Sequence, residues 1–329
     1  MKAVQILGDK SCPKIATNHS VKTPEPENDD ILVQVYAAGI TGDEVLWPEV
    51  YNTPTRIPGH DISGVISAFG PDYNGPLRIG QDVFAFLDAD RGQGQAQYVI
   101  CSPDEVAPKP ASISHAEAAA LPIPVLTAWE AMAEHGKLEP DMKVLVTGAS
   151  GAVGIMLVQF VKQVVGAHII ALASTQHHSA LMKLGASEVA DYNTKNWERL
   201  ISDVDVVFDT VGGDILAKTW ETVKENGVIV TVGDPPPPWA FGRGTAVESI
   251  GNPGVRYLHF IVSANAERLR KASEMIDSGR IKALAVKAFP FQEAEQAWLH
   301  AQQRNRGHKV VIEFEHVSHD VLAGKKYKE

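Results

Sequence analysis

The residues Gly148-Ala149-Ser150-Gly151-Ala152-Val153-Gly154 set a glycine at every third position directly after the apolar run Val144-Leu145-Val146-Thr147. A turn of small residues lets the backbone come close to an anion, and the first amides of a following helix carry unpaired N–H groups and a partial positive charge. The chemistry this suits is the holding of a diphosphate, as in a bound nicotinamide dinucleotide. Gly151, Ala152 and Val153 are expected to supply the amides, with Gly148 and Ser150 lining the turn. The spacing is G-x-x-G-x-x-G where G-x-G-x-x-G is commoner, and a tight strand-to-helix turn without a ligand is the alternative.

The next strand-like run, His168–Ala173, ends Leu172-Ala173-Ser174-Thr175. An acid at the end of this second strand would accept the ribose hydroxyls of NAD, and none is present. Ser174, Thr175, His177, His178 and Tyr192 are candidate donors to a 2′-phosphate instead, so NADPH is expected over NADH. For the two histidines the alternative is an exposed helix start that binds nothing.

These groups need elements to position them. From Ala118 onward, strand-like and helical runs alternate: Val144–Thr147, helix Val153–Val165, His168–Ala173, helix Ser179–Leu184, Glu188–Asp191, Val204–Asp209, helix Ile215–Val223, Gly227–Val232 and strand Tyr257–Val262. Parallel strands require such crossovers, which predicts a doubly wound α/β sheet of six strands, closed by a helix over Ala266–Ser278. Before Ala116 the pattern is short apolar alternation broken by Pro and Gly, as in Ile31–Tyr36, Gly64–Ile66, Asp82–Phe86 and Ala96–Ile100, which predicts a β-rich, barrel-like domain. The tail reads strand Ala285–Phe291, helix Ala294–Gln303 and strand Lys309–Phe314, and is expected to return to that first domain. The expected division is therefore 1–116 with 281–329 as substrate domain and 117–280 as an inserted nucleotide domain, with a cleft between them.

At 329 residues the chain suits two domains of roughly 100–200 residues each. Its net charge of −10 argues against a nucleic-acid partner, because phosphate binding needs clustered cations and the only cluster is Lys325-Lys326-Tyr327-Lys328, read as a solvated tail. No apolar run is long enough to span a bilayer. Cys12 and Cys101 are too few for a disulfide framework or a four-cysteine zinc site and are expected to be thiols. Met1–Gly8 reads as a strand rather than a signal peptide, so a cytoplasmic location is expected.

The chain resembles the medium-chain dehydrogenase/reductase superfamily, of the zinc-independent quinone oxidoreductase or enoyl reductase type. The resemblance covers nearly the whole sequence. It rests on the order of Ala37-Ala38-Gly39-Ile40, Pro58-Gly59-His60-Asp61 with Ser63-Gly64-Val65, Gly80-Gln81-Asp82-Val83, Ala118–Pro122 with Thr127-Ala128-Trp129, the glycine turn, Leu184-Gly185-Ala186, Asp205–Gly213 and Gly307-His308-Lys309-Val310-Val311. It implies a Rossmann sheet inserted into a GroES-like β-rich barrel domain and a small-molecule substrate, to which the NADPH expected from the missing acid would give its hydride. Homodimers are common in the family, which implies one as a possibility here.

Zinc-dependent members of that superfamily place three ligands at positions that resemble Thr41, His60 and Ile123, so only the histidine is retained, and the cysteine-rich structural-zinc loop is absent. One imidazole does not make a catalytic zinc site. Without that Lewis acid, the resemblance implies reduction of a quinone or of the C=C bond of an α,β-unsaturated carbonyl, with hydroxyl or imidazole donors at the oxygen that gathers charge. Thr41, Tyr51 and His60 are the candidate donors. Relatives often carry Asn where Thr41 stands. Tyr51 could equally be a packed rim aromatic, His60 a hydrogen-bonded structural histidine, and Asp43 and Glu44 solvated loop charges. Thr127, Val232, Gly233, Phe260 and Val262 resemble family positions beside the nicotinamide. Trp47, Trp239, Phe241 and Phe260 could line an apolar pocket for a flat or polyketide-like substrate, or simply pack.

Three rivals are carried. A short-chain dehydrogenase fails on the glycine spacing and on the absence of a tyrosine followed four residues later by lysine. A non-catalytic nucleotide-binding scaffold uses the same fold and the same turn. A trans-acting enoyl reductase on a carrier-bound chain would share the chemistry but act in a biosynthetic pathway.

Overall fold

The structure, a computed structural model, describes residues 1–303 and 307–315. It divides into two compact units: Met1–Pro122 with Ala264–Arg270 and the described residues from Ala285, and Ile123–Ser263 with Lys271–Leu284.

The first unit opens with β1 (Ala3–Leu7) and β2 (Lys14–Asn18), an antiparallel pair in which Ala3 faces Asn18. Then come β3 (Ile31–Ile40), β4 (Asp61–Phe69), β5 (Asp82–Phe86), β6 (Tyr98–Cys101) and β7 (Val106–Pro108), joined as antiparallel neighbours. Their apolar residues recur at a period of two because successive side chains point to opposite faces, and Val33, Val35, Ile62, Ile66, Val83 and Val99 meet in one buried cluster. Trp298 enters the same cluster from a distant helix. Its indole N–H donates to Gln95 Oε1 at 2.9 Å, so a large apolar ring is buried with its one polar atom satisfied.

The second unit is a sheet of six parallel strands: β8 (Lys143–Thr147), β9 (His168–Leu172), β10 (Glu188–Ala190), β11 (Val204–Asp209), β12 (Val223–Thr231) and β13 (Arg256–His259). Their spatial order is β10-β9-β8-β11-β12-β13, which in chain terms is 3-2-1-4-5-6. This is the doubly wound order, and it reverses between β8 and β11. β8 and β11 are buried nearly throughout, as strands covered on both faces must be. Helices Ala152–Phe160, His178–Leu184 and Gly213–Thr219 make the crossovers.

The chain then returns to the first unit. β14 (Val286–Pro290) and β15 (Lys309–Glu313) pair in parallel across helix Ala294–Ala301, and β15 lies antiparallel to β3 with Val310 opposite Ile40. The completed sheet has seven strands in the order β14-β15-β3-β4-β5-β7, with β6 also on β3. The fold is thus the doubly wound α/β sheet with a GroES-like β-rich partner that the sequence led us to expect.

Local differences have physical causes. The helix expected to reach Val223 stops at Thr219, because Val223 is recruited opposite Val204 and a register shift then carries the pairing to Val206 and Val228. The strand expected through Val262 ends at His259. β2 and β7 were not anticipated, since Lys14–Asn18 and Val106–Pro108 are too short and mixed to show a period. No helix among the described residues is long and apolar enough to cross a membrane. The Lys325–Lys328 cluster lies outside the described residues.

Candidate functional site

In the second unit, the glycine turn leaves β8 at its carboxyl end, beside the point where strand order reverses. Gly148 has φ +59°, and a Cβ there would strike the Thr210 hydroxyl. A Cβ on Gly154 would strike the Gly148 carbonyl oxygen, so helix Ala152–Phe160 packs against its own turn through bare backbone. Gly151 is the N-cap, and no side chain caps the helix. The Gly151 N–H already donates to the Gly148 carbonyl at 2.8 Å, which corrects its expected part as an amide donor. The first amides open to an anion are those of Ala152 and Val153.

A buried carboxylate fixes this edge, and sequence reasoning passed over it. Asp209, at the end of β11, accepts from the Thr147 hydroxyl of β8 at 2.6 Å and from the Thr231 hydroxyl of β12 at 2.6 Å. It also accepts from the Gly212 N–H at 3.0 Å, while Gly233 N–H donates to Thr231 Oγ1 at 3.0 Å. Three adjacent strand ends are therefore tied to one side chain, with Thr147 and Thr231 wholly buried. A Cβ on Gly233 would fall 2.5 Å from the Gly212 nitrogen, so the loops after β11 and β12 touch backbone to backbone. The signal in the sequence was a threonine, an aspartate and a threonine at the last positions of the first, fourth and fifth strands of this sheet.

At the end of β9, Ser174 heads the short turn Thr175–His177. The Thr175 hydroxyl donates to Asp191 Oδ2 at 2.6 Å, His178 Nε2 lies 3.0 Å from the Ala173 carbonyl, and His177 Nε2 lies 3.1 Å from the Gln176 amide. Tyr192 is exposed and next to Asp191. Thr127 is buried on helix Pro122–Glu130. From the same helix, Glu130 accepts from the Ser263 hydroxyl at 3.0 Å, which anchors the segment Phe260–Val262 after β13, while the Phe260 ring packs on His135 at 4.5 Å. Trp239 packs on Tyr257 at 4.9 Å within the core of this unit, and Phe241 is exposed against His259.

In the first unit, β3, β4 and β15 bring together Thr41, His60, Asp61 and Lys309. The Lys309 ammonium lies 3.2 Å from Asp61 Oδ2 and 3.4 Å from Thr41 Oγ1, to which it donates. Asp61 and Lys309 are both buried. His60 is 3% exposed, its Nδ1 lies 3.0 Å from Glu44 Oε1, and its Nε2 faces the Ala89 carbonyl at 3.4 Å. Burial works against protonation of this imidazole, but the charge and hydrogen bond of Glu44 outweigh it and hold its pKa above the ordinary 6.5. Glu44 also accepts from the Gly59 N–H and is 1% exposed, so the reading of Glu44 as a solvated loop charge is corrected: a buried acid needs partners, and it has them. The Tyr51 hydroxyl donates to the Val45 carbonyl at 2.7 Å, and desolvation raises its pKa. Trp47 stands 5.4 Å from His60, against the core.

Among the described residues no group of three His, Cys, Asp or Glu is placed to hold a metal. The buried Lys309–Asp61 pair escaped sequence reasoning because its members stand on strands from opposite ends of the chain.

A family model described as an alcohol dehydrogenase GroES-like domain matches residues 27–111, and one described as a zinc-binding dehydrogenase matches residues 184–312. The chain is 31% identical over 278 residues to a mitochondrial NAD(P)H oxidoreductase of Mus musculus, covering 77% of this chain and 69% of that protein. It is 29% identical over 326 residues to 2-methylene-furan-3-one reductase of Solanum lycopersicum, covering 95% and 79%. Among solved structures, the quinone oxidoreductase from Coxiella burnetii superposes with a TM-score of 0.82 at 25% identity, covering 96% of this chain and 100% of that one.

Proposed function

The chain belongs to the medium-chain dehydrogenase/reductase superfamily and is an oxidoreductase of that type, and from this premise we propose that it is an NADPH-dependent, zinc-free reductase of a quinone or of the C=C bond of an α,β-unsaturated carbonyl. The observation that carries the reading is the uncapped helix start at Ala152 and Val153, cradled by glycines 148 and 154 that admit no side chain. That cradle fits a dinucleotide diphosphate.

In this reading the Ala152 and Val153 amides hold the diphosphate, Gly148, Ser150 and Gly151 let it approach, and Ser174, Thr175, His177, His178 and Tyr192 surround the adenosine ribose. Thr127, Val232, Gly233, Phe260 and Val262 orient the nicotinamide end. The cofactor, when bound, supplies a hydride to the substrate. Thr41 is the donor we assign to the substrate oxygen. Because its Oγ1 accepts from Lys309, its own proton is left to point elsewhere, and an ammonium behind it strengthens it as a donor toward developing negative charge. The Tyr51 proton is committed to Val45, and the His60 ring is held between Glu44 and Ala89, so these two shape the loop that carries Thr41. Thr41 and Ile123 stand where zinc-dependent relatives place ligands, and neither side chain can serve as one. The substrate class is supported by the relatives, which include a 2-methylene-furan-3-one reductase and a quinone oxidoreductase.

Turnover of NADPH against a panel of quinones and enones tests the proposal. Oxidation with at least one of them is expected. Tight nucleotide binding without oxidation by any would leave a non-catalytic scaffold.

A further inference from the structure

The second strand of the nucleotide sheet ends without an acid, yet a carboxylate stands there. β9 and β10 run parallel with Leu172 opposite Ala190, and the Ala173 N–H donates to the Ala190 carbonyl at 3.0 Å. This register brings the residue after β10, Asp191, level with the chain just past β9. Its Oδ2 accepts the Thr175 hydroxyl at 2.6 Å, and its Oδ1 accepts the Asn193 N–H at 2.8 Å and the Asn193 side-chain amide at 2.9 Å. The Thr175 hydroxyl first, and then Asn193, keep this carboxyl below the ordinary carboxylate range, so it is charged at neutral pH.

We propose that Asp191 is a specificity-determining residue for the cofactor, a carboxylate lent by the third strand that favours a ribose 2′-hydroxyl and penalises a 2′-phosphate beside Thr175. The proposal rests on the reading that the glycine turn holds a dinucleotide. A hydroxyl has one proton, and that of Thr175 is given to Asp191, so Thr175 offers an incoming group lone pairs rather than a donor. A ribose 2′-hydroxyl carries its own proton and can give it to Thr175 Oγ1 or to the carboxylate. A 2′-phosphate, bearing a charge of about −1.5 to −2, brings only acceptors and meets a like charge. Asp191 thus opposes the preference that Ser174, His177 and His178 would otherwise confer, and narrows the margin by which NADPH is favoured over NADH.

Titration calorimetry of the full chain with NADPH, NADH, 2′,5′-ADP and 5′-AMP tests this. In Asp191→Asn, affinity for 2′,5′-ADP and NADPH is expected to rise by about tenfold relative to 5′-AMP and NADH. Thr175→Val, which keeps the carboxylate, should give no such gain. Equal changes for phosphorylated and unphosphorylated ligands in Asp191→Asn, or the same gain in Thr175→Val, would overturn the role of Asp191 while leaving the dinucleotide site standing. Absence of binding by the unaltered chain to all four ligands would remove the site itself, and the proposal with it.

Discussion

Lys309 and Asp61 face each other at 3.2 Å, one from the strand that closes the first unit and one from its second long strand, both shut away from water. A buried pair of this kind adds little net stability while intact, because removing two charges from water costs about what their attraction returns. Breaking it is another matter. Lys309→Met should take the ammonium from beside the buried Asp61 carboxylate and destabilise the chain by on the order of 3 kcal/mol in urea melts. Lys309→Arg should recover most of the stability. If Thr41 is the substrate donor, Lys309→Arg at a temperature where it is folded should still lower kcat more than it raises KM, since the ammonium behind Oγ1 is displaced.

The His60–Glu44 pair predicts a pH dependence with a definite sign. The folded pKa of His60 is raised above the unfolded value of 6.5, so the pair's contribution is fully present below about 6.5 and is lost as pH rises through the folded pKa. Stability measured by urea should fall across that window in the unaltered chain and stay flatter in His60→Asn. A histidine resonance that titrates below 6.5 and is unmoved by Glu44→Gln would show the sign to be wrong.

Gly154→Ala should fold and fail to bind. The new Cβ meets the Gly148 carbonyl oxygen, so the turn must open where the diphosphate is meant to sit. We expect NADPH affinity to fall by about 100-fold or more with an unchanged far-UV spectrum. Binding within a few-fold of normal would place the nucleotide elsewhere.

Asp209→Ala should leave two wholly buried threonine hydroxyls and the Val211 and Gly212 amides without their acceptor, at a cost of about 3 kcal/mol. Asp209→Asn, which keeps part of the acceptor set, should cost less. Thermal unfolding of the two variants side by side measures the difference, and equal midpoints for both and the unaltered chain would show that the knot carries no stability.

Metal analysis of purified chain should give no stoichiometric zinc, because Thr41 and Ile123, at two of the three positions that resemble the ligand positions of zinc-dependent members of the superfamily, carry no zinc-binding side chain. One tightly bound zinc per chain would overturn the proposed chemistry.

What the sequence made legible was whatever is periodic or local. Alternation of strand and helix after Ala118 announces a parallel sheet, and the glycine turn announces its own conformation because only small residues permit it. The tail was readable as strand, helix, strand from the apolar runs Ala285–Phe291 and Lys309–Phe314 on either side of Ala294–Gln303. What stayed hidden depends on partners distant in the chain. Glu44 in a loop gives no sign of being buried until Gly59 and His60 are seen to close on it, and Lys309, at the head of an apolar strand, gives no sign of its partner until Asp61 is placed opposite. Asp191 was missed for a subtler reason: an acid was sought on the second strand, and register supplied one from the third.

The pairing of β15 with β3 also governs how the chain comes into being. As the polypeptide emerges from the ribosome, the stretch Ala37–Ile40 must wait for Val310–Glu313 before that flank of its ladder is filled, while the nucleotide sheet between them can complete itself first. During that interval an apolar strand offers unsatisfied amides to any neighbour. Truncations that remove the last strand are therefore expected to precipitate rather than yield a smaller soluble enzyme, and slowed translation past residue 40 to increase the demand for chaperones.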